Sequence, residues 1–157
     1  MQNSSHIKMF SFPIRVYYED TDAGGVVYHA KYLNFFERCR TEWLRQLGYE
    51  QDELRETHNL LFVVSALNIN YLQPALFNQQ LNVTAEVTDL GASRLIMKQQ
   101  VLRERDGGVN KVLAQGSVTL ACLDSSKFKP KRIPLNIRES LLIAKSNTDS
   151  FNAKGNT

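Results

Sequence analysis

Residues 15–49 read RVYYEDTDAGGVVYHAKYLNFFERCRTEWLRQLGY, and the chain changes its period in the middle of them. The lead-in, FPIRVYY at residues 12–18, is β-branched and aromatic and reads as a strand. Three carboxylates follow, Glu19, Asp20 and Asp22, and then the pair Gly24-Gly25. Beyond the glycines, Tyr32, Phe36, Cys39, Trp43 and Leu47 recur at spacings of four and three, with Leu33 and Leu44 beside them. Lys31, Glu37, Arg38, Arg40, Glu42 and Arg45 take the other face. This spacing predicts a long amphipathic helix beginning near His29, and Gly48 stands where a helix C-terminus favours a left-handed residue. A stripe that wide needs a cover.

The rest of the chain supplies one. A second, shorter helix is expected at about residues 50–57, and from Leu60 onward the pattern is that of strands. LLFVVSALNINYL, residues 60–72, is a β-type run closed by Pro74, which cannot donate to a sheet ladder. Leu81, Val83, Ala85 and Val87 then alternate with Asn82, Thr84, Glu86 and Thr88. SRLIMKQQVLRER at 93–105 and VNKVLAQGSVTLACLD at 109–124 flank Asp106-Gly107-Gly108, a hairpin signal. Gly116 inside the last run marks a bulge or a close backbone approach. Residues 125–134, SSKFKPKRIP, form a basic loop, and NIRESLLIAK at 136–145 predicts a short C-terminal helix. Residues 146–157 have the composition of a frayed, partly disordered tail. Strand, long helix and four strands in succession give an α+β domain, an antiparallel sheet with one helix on its face.

The chain of 157 residues suits one domain, and 43% hydrophobic with 22% charged residues is ordinary for a globular protein. A formal charge of +3 suits an anionic small molecule and is no footprint for nucleic acid. Cys39 and Cys122 lie far apart inside apolar patterns and read as reduced core thiols. The first eleven residues lack the apolar core of a signal peptide. No apolar run approaches the roughly 20 residues of a membrane helix, so a cytoplasmic protein with at most peripheral membrane association is expected.

Asp22 is the leading chemical candidate. It sits between strand and glycines, seven residues before His29. A helix beginning near His29 offers unsatisfied N–H groups and the positive end of a dipole. Those groups can hold a carbonyl oxygen that becomes negative during attack. A nearby carboxylate can act as nucleophile or can deprotonate water. Glycines such as Gly25 let a substrate approach the backbone. Together these are the means for acyl transfer, against the plainer reading of an acidic cap on a helix. His29 has two possible uses, through its main-chain N–H or through its imidazole. Val27, Tyr28 and Tyr32 are candidate pocket residues, although Tyr32 also fits the core stripe, and Tyr71 fits either role. Arg94, Lys129, Lys131 and Arg132 could meet phosphates or could be solvated surface. The sequence carries no Cys/His metal pattern, phosphate-cradling loop or Ser-His-Asp signature.

The same stretch, with its Asp-Thr-Asp-Ala-Gly-Gly-Val-Val-Tyr-His run, closely resembles the opening of the acyl-CoA thioesterases associated with the Tol-Pal system. These belong to the 4-hydroxybenzoyl-CoA thioesterase branch of hotdog-fold proteins. The likeness continues through FVVSALNINYLQPA and KPKRIP and covers roughly residues 12–135. It implies a hotdog domain over 12–137, with a curved antiparallel sheet wrapped around one long central helix. Residues 1–11 would then be an N-terminal extension and 138–157 a helix end and tail. The resemblance places the catalytic aspartate on Asp22 and the carbonyl-polarising N–H on His29, while Asp20 shapes the turn. It implies hydrolysis of short-chain acyl-CoA to acid and CoA with no cofactor, by a homodimer or homotetramer whose sites lie between protomers. It also raises two alternatives. One is a scaffold of the Tol-Pal and lipid-synthesis machinery, and the other is an enzyme acting on thioesters of acyl carrier protein. A hotdog dehydratase would want a His and Glu pair instead, and Glu37 has no motif around it.

Overall fold

A computed structural model describes residues 9–104, 108 and 110–155. In chain order the elements are β1 (Phe10–Arg15), α1 (Lys31–Gln46), α2 (Gln51–His58), β2 (Leu60–Tyr71), β3 (Gln80–Leu90), β4 (Arg94–Glu104), β5 (Asn110–Asp124) and α3 (Leu135–Gly155). The strands form one antiparallel sheet in the order β1-β3-β4-β5-β2. β1 carries Pro13, opposite Asn82, and is an edge strand, where a missing N–H costs no second ladder bond. It stops at Arg15, earlier than the aromatic run predicted, because Tyr18–Asp20 turn as a single 3-10 helix. The Asp106-Gly107 part of the hairpin signal and residues 1–8 lie outside the described residues.

α1 covers the sheet as its stripe predicts. Tyr32, Phe35, Phe36, Cys39, Trp43 and Leu44 are buried in one core with Leu81, Val83, Met97, Val101, Ala114 and Val118. Its end is a left-handed stop: Gly48 has φ +99°, its N–H meets Arg45 O at 2.9 Å, and Tyr49 N–H meets Leu44 O at 3.1 Å. Gly116 marks a close approach, since a Cβ there would lie 2.3 Å from Asn68 O and 3.2 Å from Phe36 Cε2. The register shifts fall elsewhere, at Val64/Ala66, Val87/Asp89 and Val101/Leu102.

Two expectations need correction. The described residues hold three helices, and the longest is α3, not α1. α3 runs on through residues 146–155, assigned above to a polar tail, because no Gly or Pro interrupts it between Pro134 and Gly155. Its Ile137 and Leu141 are buried, and it packs with α1 on β3. Thr84 and Glu86, from the polar half of the β3 alternation, are also buried, in the middle of that strand. Arg40, on the charged side of α1, is half-buried: its Nη1 donates to Gln99 Oε1 at 2.9 Å, and Gln99 Nε2 donates to Phe36 O and Thr84 O. Cys39 and Cys122 are free and buried, and burial pushes their thiols up to about 12 and about 11. Among the described residues no helix is long and apolar enough to cross a membrane.

Candidate active site

The acidic turn is built around Asp20. Its Oδ2 accepts the Tyr17 N–H at 2.8 Å, its carbonyl accepts the Tyr28 N–H at 2.8 Å, and Lys31 Nζ stands 4.0 Å from Oδ1. This closes the loop over residues 20–28 and leaves Asp22 on its exposed side. Asp22 N–H reaches Val26 O at 2.9 Å, Gly25 N–H reaches Asp22 O at 3.0 Å, and Gly24 N–H donates to Asp22 Oδ1 at 2.8 Å. Gly25 has φ +80°, a left-handed conformation that a side chain would strain. The glycines thus serve the turn that presents the carboxylate.

A cleft of about 320 Å³ opens beside it, lined by Asp22, Val26, Val27, His29, Tyr32 and the segment Tyr71–Pro74. That segment is fastened to the turn: Val27 N–H donates to Ala75 O at 2.9 Å, and Ala75 N–H donates to Tyr32 Oη at 3.2 Å. Lys31 N–H turns back to Tyr28 O at 2.8 Å, so helical geometry starts two residues after His29. The N–H groups of His29 and Ala30 have no acceptor among the described residues. Burial raises the phenol pKa of Tyr32 and of Tyr71.

Asp22, Val27, His29 and Tyr32, all singled out from the sequence, therefore meet in one cleft. Gly25 stays in the turn, and Tyr28 lies outside the lining with its ring 4.5 Å from that of His29. Tyr71 lines the cleft as well, a place its sequence position left open. Pro74 was the available signal, for a strand stopped by proline delivers its last side chains to a loop. The four basic candidates are elsewhere. Leu60 pairs with Asp124 at one end of β2 and Tyr71 with Ala114 at the other. Lys129 and Lys131 bond to Asp124 and Cys122, and Arg94 pairs with Ala121, so these residues gather at the Leu60 end. At about 3.3 Å per residue, the two ends of β2 are roughly 35 Å apart. Lys131 is also engaged, its Nζ donating to His58 O at 2.7 Å behind α2. A second hollow of about 200 Å³ lies at that end, walled by Trp43, Leu44, Phe62, Leu95 and Leu141 with Arg40 on its lining.

Residues 16–141 match the thioesterase-like superfamily. The chain belongs to that superfamily. It is an enzyme family, and this member is 45% identical over 129 residues to the acyl-CoA thioesterase YbgC of Haemophilus influenzae, a match spanning 82% of this chain and 91% of the relative. It is 39% identical over 129 residues, 82% of this chain and 92% of the relative, to the acyl-CoA thioester hydrolase YbgC of Escherichia coli O6:H1. Among solved structures, a probable thioesterase from Bartonella henselae superimposes with a TM-score of 0.74 at 35% identity, covering 81% of this chain and all of that one. The superfamily assignment agrees with the five-stranded antiparallel sheet and the helix between β1 and β2.

Proposed function

We propose that the protein hydrolyses short-chain acyl-CoA thioesters to a carboxylic acid and free CoA. The observation that carries this reading is the cleft itself, which Asp22 and His29 both line and at which the His29 N–H has no acceptor among the described residues. The thioester carbonyl oxygen lies against that N–H, which stabilises the charge developing on it. Asp22 then has two routes. As nucleophile it attacks the carbonyl carbon, the C–S bond breaks with its electron pair leaving on sulfur, and water hydrolyses the resulting mixed anhydride. As general base it takes a proton from a water whose oxygen adds to the same carbon, and the thiolate leaves from the tetrahedral intermediate. Either way the sulfur takes up a proton as CoA departs, and no metal or redox cofactor is needed.

Among the described residues no Lys or Arg lines this cleft, and the proposal therefore includes a second copy. β2 is an edge strand whose middle, residues 64–68, is exposed and includes Val64 and Leu67. An exposed apolar edge is a template for pairing. Antiparallel pairing of two β2 edges sets the Tyr71 end of one copy against the Leu60 end of its partner. The Asp22 cleft then faces the other copy's Arg94, Lys129 and Arg132 for the CoA phosphates, and its Trp43–Phe62 hollow for the acyl chain. A hollow of about 200 Å³ favours short chains. The assembly is a homodimer, or a tetramer built from such dimers. Acyl carrier protein presents the same pantetheine thioester and is the alternative donor.

The test is thiol release from acetyl- to palmitoyl-CoA, benzoyl-CoA and acyl carrier protein thioesters, with wild type and Asp22→Asn in parallel. Loss of a nucleophile or base lowers turnover at least about a hundredfold. An Asp22→Asn variant keeping more than about a tenth of wild-type turnover sinks the catalytic role. Mixing Asp22→Asn chains with Lys129→Glu/Arg132→Glu chains restores activity if the cations come from the partner, and restores none if they do not.

A further inference from the structure

The carbonyl of His29 is an acceptor that the helix leaves over. By i to i−4 spacing its partner would be the Leu33 N–H, but that group goes to Ala30 O at 3.2 Å. A side chain takes the vacant place: Tyr71 Oη donates to His29 O at 2.8 Å. The donor comes from the end of β2, 42 residues away in the chain. Its ring stands edge-on to His29 at 6.4 Å and to Tyr32 at 5.2 Å, and the Tyr32 hydroxyl is itself fixed by Ala75. Partial burial raises the Tyr71 phenol pKa from its ordinary value.

We infer that Tyr71 is a positioning residue for the carbonyl-binding N–H groups of the cleft. The inference rests on the thioesterase reading above. The carbonyl that Tyr71 holds belongs to the peptide joining His29 to Ala30, and peptide planarity makes its N–H move with it. Tyr71 thereby fixes the direction of the Ala30 N–H directly and, through the two backbone torsions of His29, restrains the His29 N–H of the preceding peptide. A hydrogen bond accepted at a peptide oxygen also polarises that peptide and strengthens its N–H as a donor. A hydroxyl at this position supports transition-state charge more than ground-state binding, so its loss falls on kcat.

Tyr71→Phe keeps the ring and removes only the hydroxyl. In thiol release from the best acyl-CoA, kcat falls about tenfold, equivalent to about 1.4 kcal/mol, while KM stays within about twofold. A second readout uses the Asp22→Asn background, in which the thioester is held without turnover. There the ¹³C resonance of a labelled carbonyl is shifted by binding, and adding Tyr71→Phe moves it back toward the free value. An unchanged kcat, an unmoved carbonyl signal or a loss confined to KM overturns the inference. If wild type turns over and Asp22→Asn does not while Tyr71→Phe matches wild type, only the role of Tyr71 falls. If wild type releases thiol from no thioester, the thioesterase reading fails and this inference falls with it.

Discussion

Replacing Gly116 with Ala tests whether the core is as tight where β2, β5 and α1 meet as the geometry says. The added Cβ would lie 2.3 Å from Asn68 O, 3.0 Å from Ile69 Cγ1 and 3.2 Å from Phe36 Cε2. The first of these is main chain and cannot swing aside. β2 and β5 must part by about 1 Å at the Ile69–Gly116 pair to reach the 3.4 Å at which ordinary contact begins. Overpacking of a well-filled site costs about 1–3 kcal/mol, and here the displaced atoms carry sheet hydrogen bonds, which puts the expected loss at the upper end. For a domain of this size, about 3 kcal/mol lowers Tm by roughly 6–12 °C. Urea unfolding followed by circular dichroism, with a thermal scan beside it, measures both. Gly to Ala in a strand with room for the methyl would instead stabilise by about 0.5–1 kcal/mol, because the unfolded chain loses freedom. A variant as stable as wild type, or more so, refutes the close approach.

Gln99→Leu removes the acceptor of Arg40 and the donor to Phe36 O and Thr84 O, and about 3 kcal/mol of stability should be lost in the same urea assay. Native protein should resist iodoacetamide at Cys39 and Cys122, whose thiols are held at about 12 and about 11, and both should react in urea. The same shifts make the folded state bind more protons than the unfolded one above the ordinary thiol value of 9.0. Stability that is full below pH 9 should therefore decline between pH 9 and 12, and a flat profile across that window would contradict it.

What the sequence made legible is what depends on near neighbours. The change of period after Gly24-Gly25 fixes the strand-turn-helix order, and Gly48 stops α1 in the conformation its position predicts. Asp22 and His29 share a cleft because only six residues of turn join them, so their meeting is a local fact. Phe35 was missed because the buried arc of α1 is wider than one line of four-and-three spacings; Phe35 is fully buried while Leu33 is 40% exposed. The role of Arg40 could not be read locally, because its partner Gln99 is 59 residues away. Tyr71 is the same kind of case, since its bond to His29 O exists only once the end of β2 is folded against the start of α1.

The basic residues show where spacing along a chain misleads most. Lys129 and Arg132 follow the last strand, and a loop after a strand is a common place for ligand contacts. Register decides which cleft that loop can serve. Pairing Leu60 with Asp124 and Tyr71 with Ala114 puts Asp22 and the basic loop at opposite ends of a 12-residue strand. A CoA pantetheine arm is about as long as four or five extended residues, roughly 15 Å, well short of the roughly 35 Å that β2 measures along its length. Either these cations serve another copy's cleft or they serve no thioester at all. Reversing the strand about a two-fold axis turns the mismatch into a match without moving any residue of the fold. On the first account each variant is inactive alone and mixed Asp22→Asn and Lys129→Glu/Arg132→Glu chains recover activity; on the second the Lys129→Glu/Arg132→Glu chain is as active alone as wild type.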